Sequence, residues 1–141
     1  MVSILHISDP HAQTETMIRL HNLANALPDC HVLALTGDCT SSSFGQLDDS
    51  LNEWPQELKL SAPGNHDFVD TFDLLSAWKH RTPWLCRIED LLFIGLDTSA
   101  GFHDVAEQLD TLQPDVATVA TVLLTHRFGP MPTKPTFSEP K

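Results

Sequence analysis

The chain has 141 residues, enough for one domain with one core, and its 41% apolar content is that of a globular protein rather than a disordered one. Nineteen acidic against eight basic residues leave a net charge of -11. That balance excludes the clustered Lys and Arg of an extended nucleic-acid surface, but a small anionic substrate stays open because bound metal reverses a local field. Three widely spaced cysteines, Cys30, Cys39 and Cys86, form no disulfide framework and fit a reducing compartment. Residues 1–8 lack the basic region and long apolar core of a signal peptide, and no apolar run is long enough to span a bilayer. A soluble cytoplasmic protein, without membrane partners, is the expectation.

In chain order, residues 2–8 read as a mostly apolar strand bounded by Asp9-Pro10. Residues 14–27 read as a helix, with Met17, Leu20, Leu23, Ala24 and Leu27 at helical spacing and Thr14 as cap. Residues 31–36 form a second apolar strand, stopped by Gly37-Asp38, and residues 44–53 a short helix before Pro55. Residues 57–61 give a third strand, which feeds Pro63-Gly64-Asn65-His66-Asp67, and a helix over 71–79 follows. Three strand–helix passes with apolar strands predict a parallel sheet. The pattern then changes. Residues 85–88 and 91–96 flank Glu89-Asp90 as an antiparallel hairpin that opens a second sheet. Residues 104–112 read as a helix and 119–125 as a strand ending at His126. Four prolines from Gly129 onward predict an irregular tail over 129–141.

Polar groups that can ligate metal recur where strands end. The first strand ends in Asp9-Pro10-His11, the second in Gly37-Asp38, the third in Gly64-Asn65-His66-Asp67 and the late strand in His126. The ends of parallel strands converge on one sheet edge, where open α/β sheets gather ligands. Carboxylate, imidazole and amide oxygen together suit Mn, Fe or Zn better than a thiolate site. Asp38, on a central strand, is placed to bridge two ions. Taken singly, each group has a plainer reading: an Asp after a strand is usually a turn residue, and a His there is usually on the surface. Their repetition in this order is what favours a site. His6 reads as a core or interface group. His21, His31 and His80 read as surface residues, His103 as the neighbour of a helix cap and Cys39 as a small buried filler. The planar fork of Arg127 suits a phosphate as well as an ordinary ion pair. Lys79-His80-Arg81 reads as a solvated face.

With these motifs the chain resembles the calcineurin-like metallophosphoesterases, whose pattern runs Asp-x-His, Gly-Asp-x-x-Asp/Asn, Gly-Asn-His-Asp/Glu, a later His and then Gly-His-x-His. The resemblance covers about residues 1–130. It implies the αββα sandwich of that family and a pair of divalent or trivalent metal ions (Mn, Fe or Zn). It further implies that Asp9 and His11 bind the first ion, Asp38 bridges, and Asn65 and His126 bind the second. His66 would protonate the leaving oxygen, with Asp67 orienting it. The implied reaction is phosphoester hydrolysis by a metal-activated hydroxide, as a phosphodiesterase or phosphatase. The Gly-Asn-His-Asp form, without Arg before Gly64, points to small or nucleotide-like substrates rather than phosphoproteins.

Two departures stand out. Ser41 stands where the second motif has Asp or Asn, and no Gly in this chain is followed by His. The expectation is therefore an incomplete, C-terminally truncated domain over 1–128 with a second sheet short of strands, open to self-association. A catalytically weak or inactive metal-binding scaffold of the same fold is the alternative reading.

Overall fold

The structure is a computed structural model of the chain and describes residues 1–10, 14–37, 39, 49–64, 75–98, 102–114 and 120–126. The first sheet contains β1 (Ile4–Ser8), β2 (Val32–Thr36) and β3 (Leu58–Ala62), all parallel in the order β1-β2-β3. Every residue of β2 is buried, which is why its sequence, Val-Leu-Ala-Leu-Thr, is an unbroken run rather than an alternation. The helix α1 (Thr14–Ala26) lies on one face. Met17, Leu20 and Ala24 pack there with Leu5, Ile7, Leu33 and Leu35.

The second sheet contains β4 (Trp84–Ile88), β5 (Leu91–Gly95) and β6 (Ala120–Leu124). β4 and β5 are the expected hairpin, turning at Glu89-Asp90, where Glu89 adopts a φ of 50°. β6 returns parallel to β5 after the helix α2 (Phe102–Leu112). Alternation along these strands sorts the faces. Phe93, Trp84 and Leu124 turn inward and pack with Val32, Ala34, Leu60 and Ala62 of the first sheet. Leu92, Ile94 and Leu96 turn outward under Val105, Leu109 and Leu112 of α2. The layers therefore run α1, sheet, sheet, α2: the αββα sandwich expected from the sequence.

A few side chains fix the layers to one another. Trp84 Nε1 donates to Ser61 O across the sheets at 2.9 Å, and Gly95, opposite it in the hairpin, leaves the space its indole fills. Gln56, almost wholly buried, donates from Nε2 to Ala24 O and Leu27 O at 2.8 and 2.9 Å, adding a side-chain donor to carbonyls that also accept from Leu27 N–H and Cys30 N–H at the end of α1. The Gln108 side chain accepts from Asp97 N–H at 2.8 Å and donates to Asp97 O at 2.7 Å, stapling the chain beyond β5 to α2.

Some expected elements differ. The helix over 44–53 is a 3-10 turn at Asp49–Glu53 within the described residues. Of the helix over 71–79, residues 71–74 lie outside the described residues, and residues 75–79 are turn and bridge. Lys79 instead extends β3's edge: its N–H donates to Lys59 O at 2.9 Å, and its O accepts from Ser61 N–H at 2.8 Å. Edge backbone groups need partners, and Trp78, buried with Nε1 donating to Leu51 O at 3.1 Å, anchors the turn that delivers them.

Coverage is uneven. On β1 the side facing the second sheet carries Ile4, His6 and Ser8, all exposed. On the outer face of the second sheet, Leu85 and Leu123 flank Ile94 and are 36% and 52% exposed. Among the described residues, no helix is long and apolar enough to cross a membrane.

Candidate metal centre

The strand ends of the first sheet are tied into one row. Asp9 N–H donates to Gly37 O at 3.1 Å, and Gly37 N–H donates to Ala62 O at 2.7 Å. Asp9 and Gly37 both leave their strands in the left-handed region, with φ of 55° and 73°. Glycine takes that conformation freely and Asp more readily than most residues, so the chain turns sharply at the row.

His126 reaches the same row from the second sheet. Leu124 is buried in the inner layer, and its carbonyl accepts from Leu96 N–H at 3.1 Å, which directs the chain after β6 toward the sheet edge. The His126 side chain packs against Gly37; any Cβ there would overlap it. His126 Nε2 stands 3.9 Å from Asp9 Oδ1, with the two side chains 10% and 45% exposed. The other Asp9 oxygen, Oδ2, accepts from Ser8 Oγ. One carboxylate oxygen is thus held by a neighbour and the other is turned to the imidazole. A divalent ion sits about 2.0–2.2 Å from such oxygen and nitrogen donors, so this spacing admits a cation touching both. The donor chemistry fits a borderline or hard metal.

Of the expected site residues, Asp9 and His126 are brought together. His11, Asp38, Asn65, His66, Asp67 and Arg127 lie outside the described residues. Of the described residues next to them in sequence, Gly37 lies in the row and Cys39 and Gly64 are buried. Among the described residues, no group of three or more His, Cys, Asp or Glu side chains comes together.

Several residues escape a sequence reading. Ser8 orients Asp9, and its only sequence signal is adjacency. Gly37 is needed because His126 occupies the space of any side chain there, which the Gly-Asp pair hints at only as a turn. His6, expected in a core or interface, is exposed on an edge strand, and its Nε2 shares a 2.6 Å hydrogen bond with Thr36 Oγ1. His31, expected at the surface, is half-buried and its Nδ1 lies 3.0 Å from Ser3 Oγ. His80 is half-buried too, and Cys39 is the buried filler anticipated.

The sequence pattern described as calcineurin-like phosphoesterase matches residues 2–128. No curated protein matches the chain. That family consists of phosphoester hydrolases that generally hold a dinuclear metal centre. The match spans nearly the whole sequence, and the layered sheets with strand ends meeting at Asp9 and His126 agree with it: the chain belongs to the calcineurin-like phosphoesterase family.

Proposed function

We propose that the chain hydrolyses phosphoesters of small or nucleotide-like substrates, as a phosphodiesterase or phosphatase, with metal held by Asp9, His11, Asp38, Asn65 and His126. The observation that carries this is the meeting of Asp9 and His126 at 3.9 Å, from opposite ends of the sequence and from different sheets. An acidic and an imidazole side chain have little reason to converge over a glycine seat for packing alone. When bound, paired ions supply a water acidified toward neutral pH and offset charge on the phosphoryl oxygens. The protein's own part is to hold the ligands, with Ser8 fixing one oxygen of Asp9, and to deliver a proton to the leaving oxygen from His66, which Asp67 orients. Arg127 binds the phosphate. The three cysteines are free, which supports a reducing, cytoplasmic setting.

The test is turnover of bis-p-nitrophenyl phosphate with added Mn, stopped by chelation, in wild type, Asp9→Asn and His126→Ala. Wild type is expected to turn over only with Mn, and both variants to lose most of it. Mn uptake without turnover would overturn the hydrolase reading in favour of a metal-binding scaffold, which the absence of a Gly-His pair favours.

A further inference from the structure

We propose that His6 is a positioning residue for this metal centre, acting through Thr36 on the turn at Gly37; the inference rests on the metal-dependent reading above. In the β1–β2 register His6 stands opposite Ala34, yet its ring reaches diagonally to Thr36, with Nε2 2.6 Å from Oγ1. Nothing in the core asks for an imidazole there. Ile4, His6 and Ser8 share the face of β1 that the second sheet leaves uncovered, and all three are exposed. An exposed position on an edge strand is filled as well by Thr or Val.

Thr36, in contrast, is 4% exposed and is the last residue of β2. It directly precedes Gly37, whose carbonyl accepts from Asp9 N–H and whose open face seats His126. The contacts form a closed circuit: from His6 along β1 to Asp9, across to Gly37 O, back one residue to Thr36, and by the side-chain bond to His6. The β1–β2 ladder fixes the register as far as Ser8 opposite Thr36, and past it the backbone bond from Asp9 N–H to Gly37 O joins the two turns. The diagonal side-chain tie adds to that ladder at Thr36 itself, the residue from which the Gly37 turn springs, and so holds the start of the turn in one position. Partners that orient metal ligands without touching the metal are typically worth about 10–100-fold in affinity.

The experiment uses the full chain, with Mn affinity from calorimetry and urea unfolding in chelator. His6→Phe and Thr36→Val remove the bond and keep shape; His6→Gln and Thr36→Ser keep a polar atom for it. His6→Phe and Thr36→Val are each expected to weaken Mn binding about 10-fold or more. The double variant should be no worse than either single one, since both cut one bond. His6→Gln and Thr36→Ser should stay near wild type, and the metal-free urea midpoint should hold in all. Wild-type Mn affinity in His6→Phe and Thr36→Val overturns the inference. So do additive losses, or losses that track a fall in the metal-free midpoint or a failure to fold. Wild type that takes up no Mn overturns the proposed function itself, and with it this inference; a binding wild type with unchanged variants overturns the inference alone.

Discussion

Gly37→Ala tests the site and the fold at one atom. At φ 73° a side chain meets its own backbone, a cost of about 1–2 kcal/mol. The new Cβ also falls inside the His126 ring, and overpacking a closed contact costs about 1–3 kcal/mol more. The sum, about 2–5 kcal/mol, is a large share of the 5–15 kcal/mol that holds a typical domain together. The ring can escape only by leaving the sheet edge, which takes Nε2 away from Asp9 Oδ1. Urea unfolding without metal should therefore show the stability loss, and Mn titration should show binding weakened by about tenfold or more. The decisive comparison repeats Gly37→Ala in a His126→Gly background, which removes the His126 Cβ as well as the ring. With no ring to meet, only the backbone term of about 1–2 kcal/mol should remain. An equal loss in both backgrounds, or Mn affinity untouched by Gly37→Ala, would refute the packing of His126 on Gly37.

Gln56→Ala should lower stability by about 1–3 kcal/mol, because two side-chain hydrogen bonds are lost while Ala24 O and Leu27 O each keep a backbone donor; thermal unfolding checks this, and Gln56→Glu, which lacks the amide, should not rescue it. Partial burial lowers the pKa of Lys59 below the ordinary 10.5. The unfolded chain then holds that proton more tightly, so stability should rise with pH between the lowered value and 10.5, and Lys59→Met should flatten that rise in urea midpoints taken at increasing pH. Asp38→Asn should harm Mn binding more than Asp9→Asn if Asp38 bridges, and equal losses in calorimetry would sink that role. We propose that Leu85 and Leu123, exposed on either side of the buried Ile94, and the edge of β6 that carries no strand among the described residues drive self-association of this chain, since open edges and apolar patches seek partners. Light scattering should show oligomers that Leu123→Lys dissociates, and a monomeric wild type would refute it.

The layers were legible because burial on both faces leaves a plain mark. Residues 32–36 carry no polar side chain until Thr36, and 91–96 carry none at all, so both announce sheets covered on two sides. The hairpin was legible because Glu89-Asp90 interrupts two apolar runs at hairpin spacing. Residues 75–79 were not, because Leu75 and Trp78 sit at helical spacing yet are used to anchor a turn. What decided their shape was the unpaired edge of β3, a need that lies elsewhere in the chain. For the site, the convergence of Asp9 with His126 followed from strand ends and motif order. The roles of Ser8, Thr36 and His6 did not, because each depends on a side chain reaching across a register that only the paired strands define.

The hairpin at Glu89-Asp90 also sets an order of events in time. β4 and β5 are joined by two residues and pair locally, and such hairpins close within about 1–10 μs. Among the described residues every other strand pairing is parallel and spans an intervening crossover, and contacts of long sequence separation form late. The seating of His126 on Gly37 joins the last described strand to the first sheet, so it is expected at the end of the sequence of steps. A cation gripped by Asp9 and His126 would then find nothing to hold in the transition state. In stopped-flow measurements Mn should leave the folding limb where it is and slow only unfolding, so that the metal acts as a latch on the finished protein and takes no part in its making.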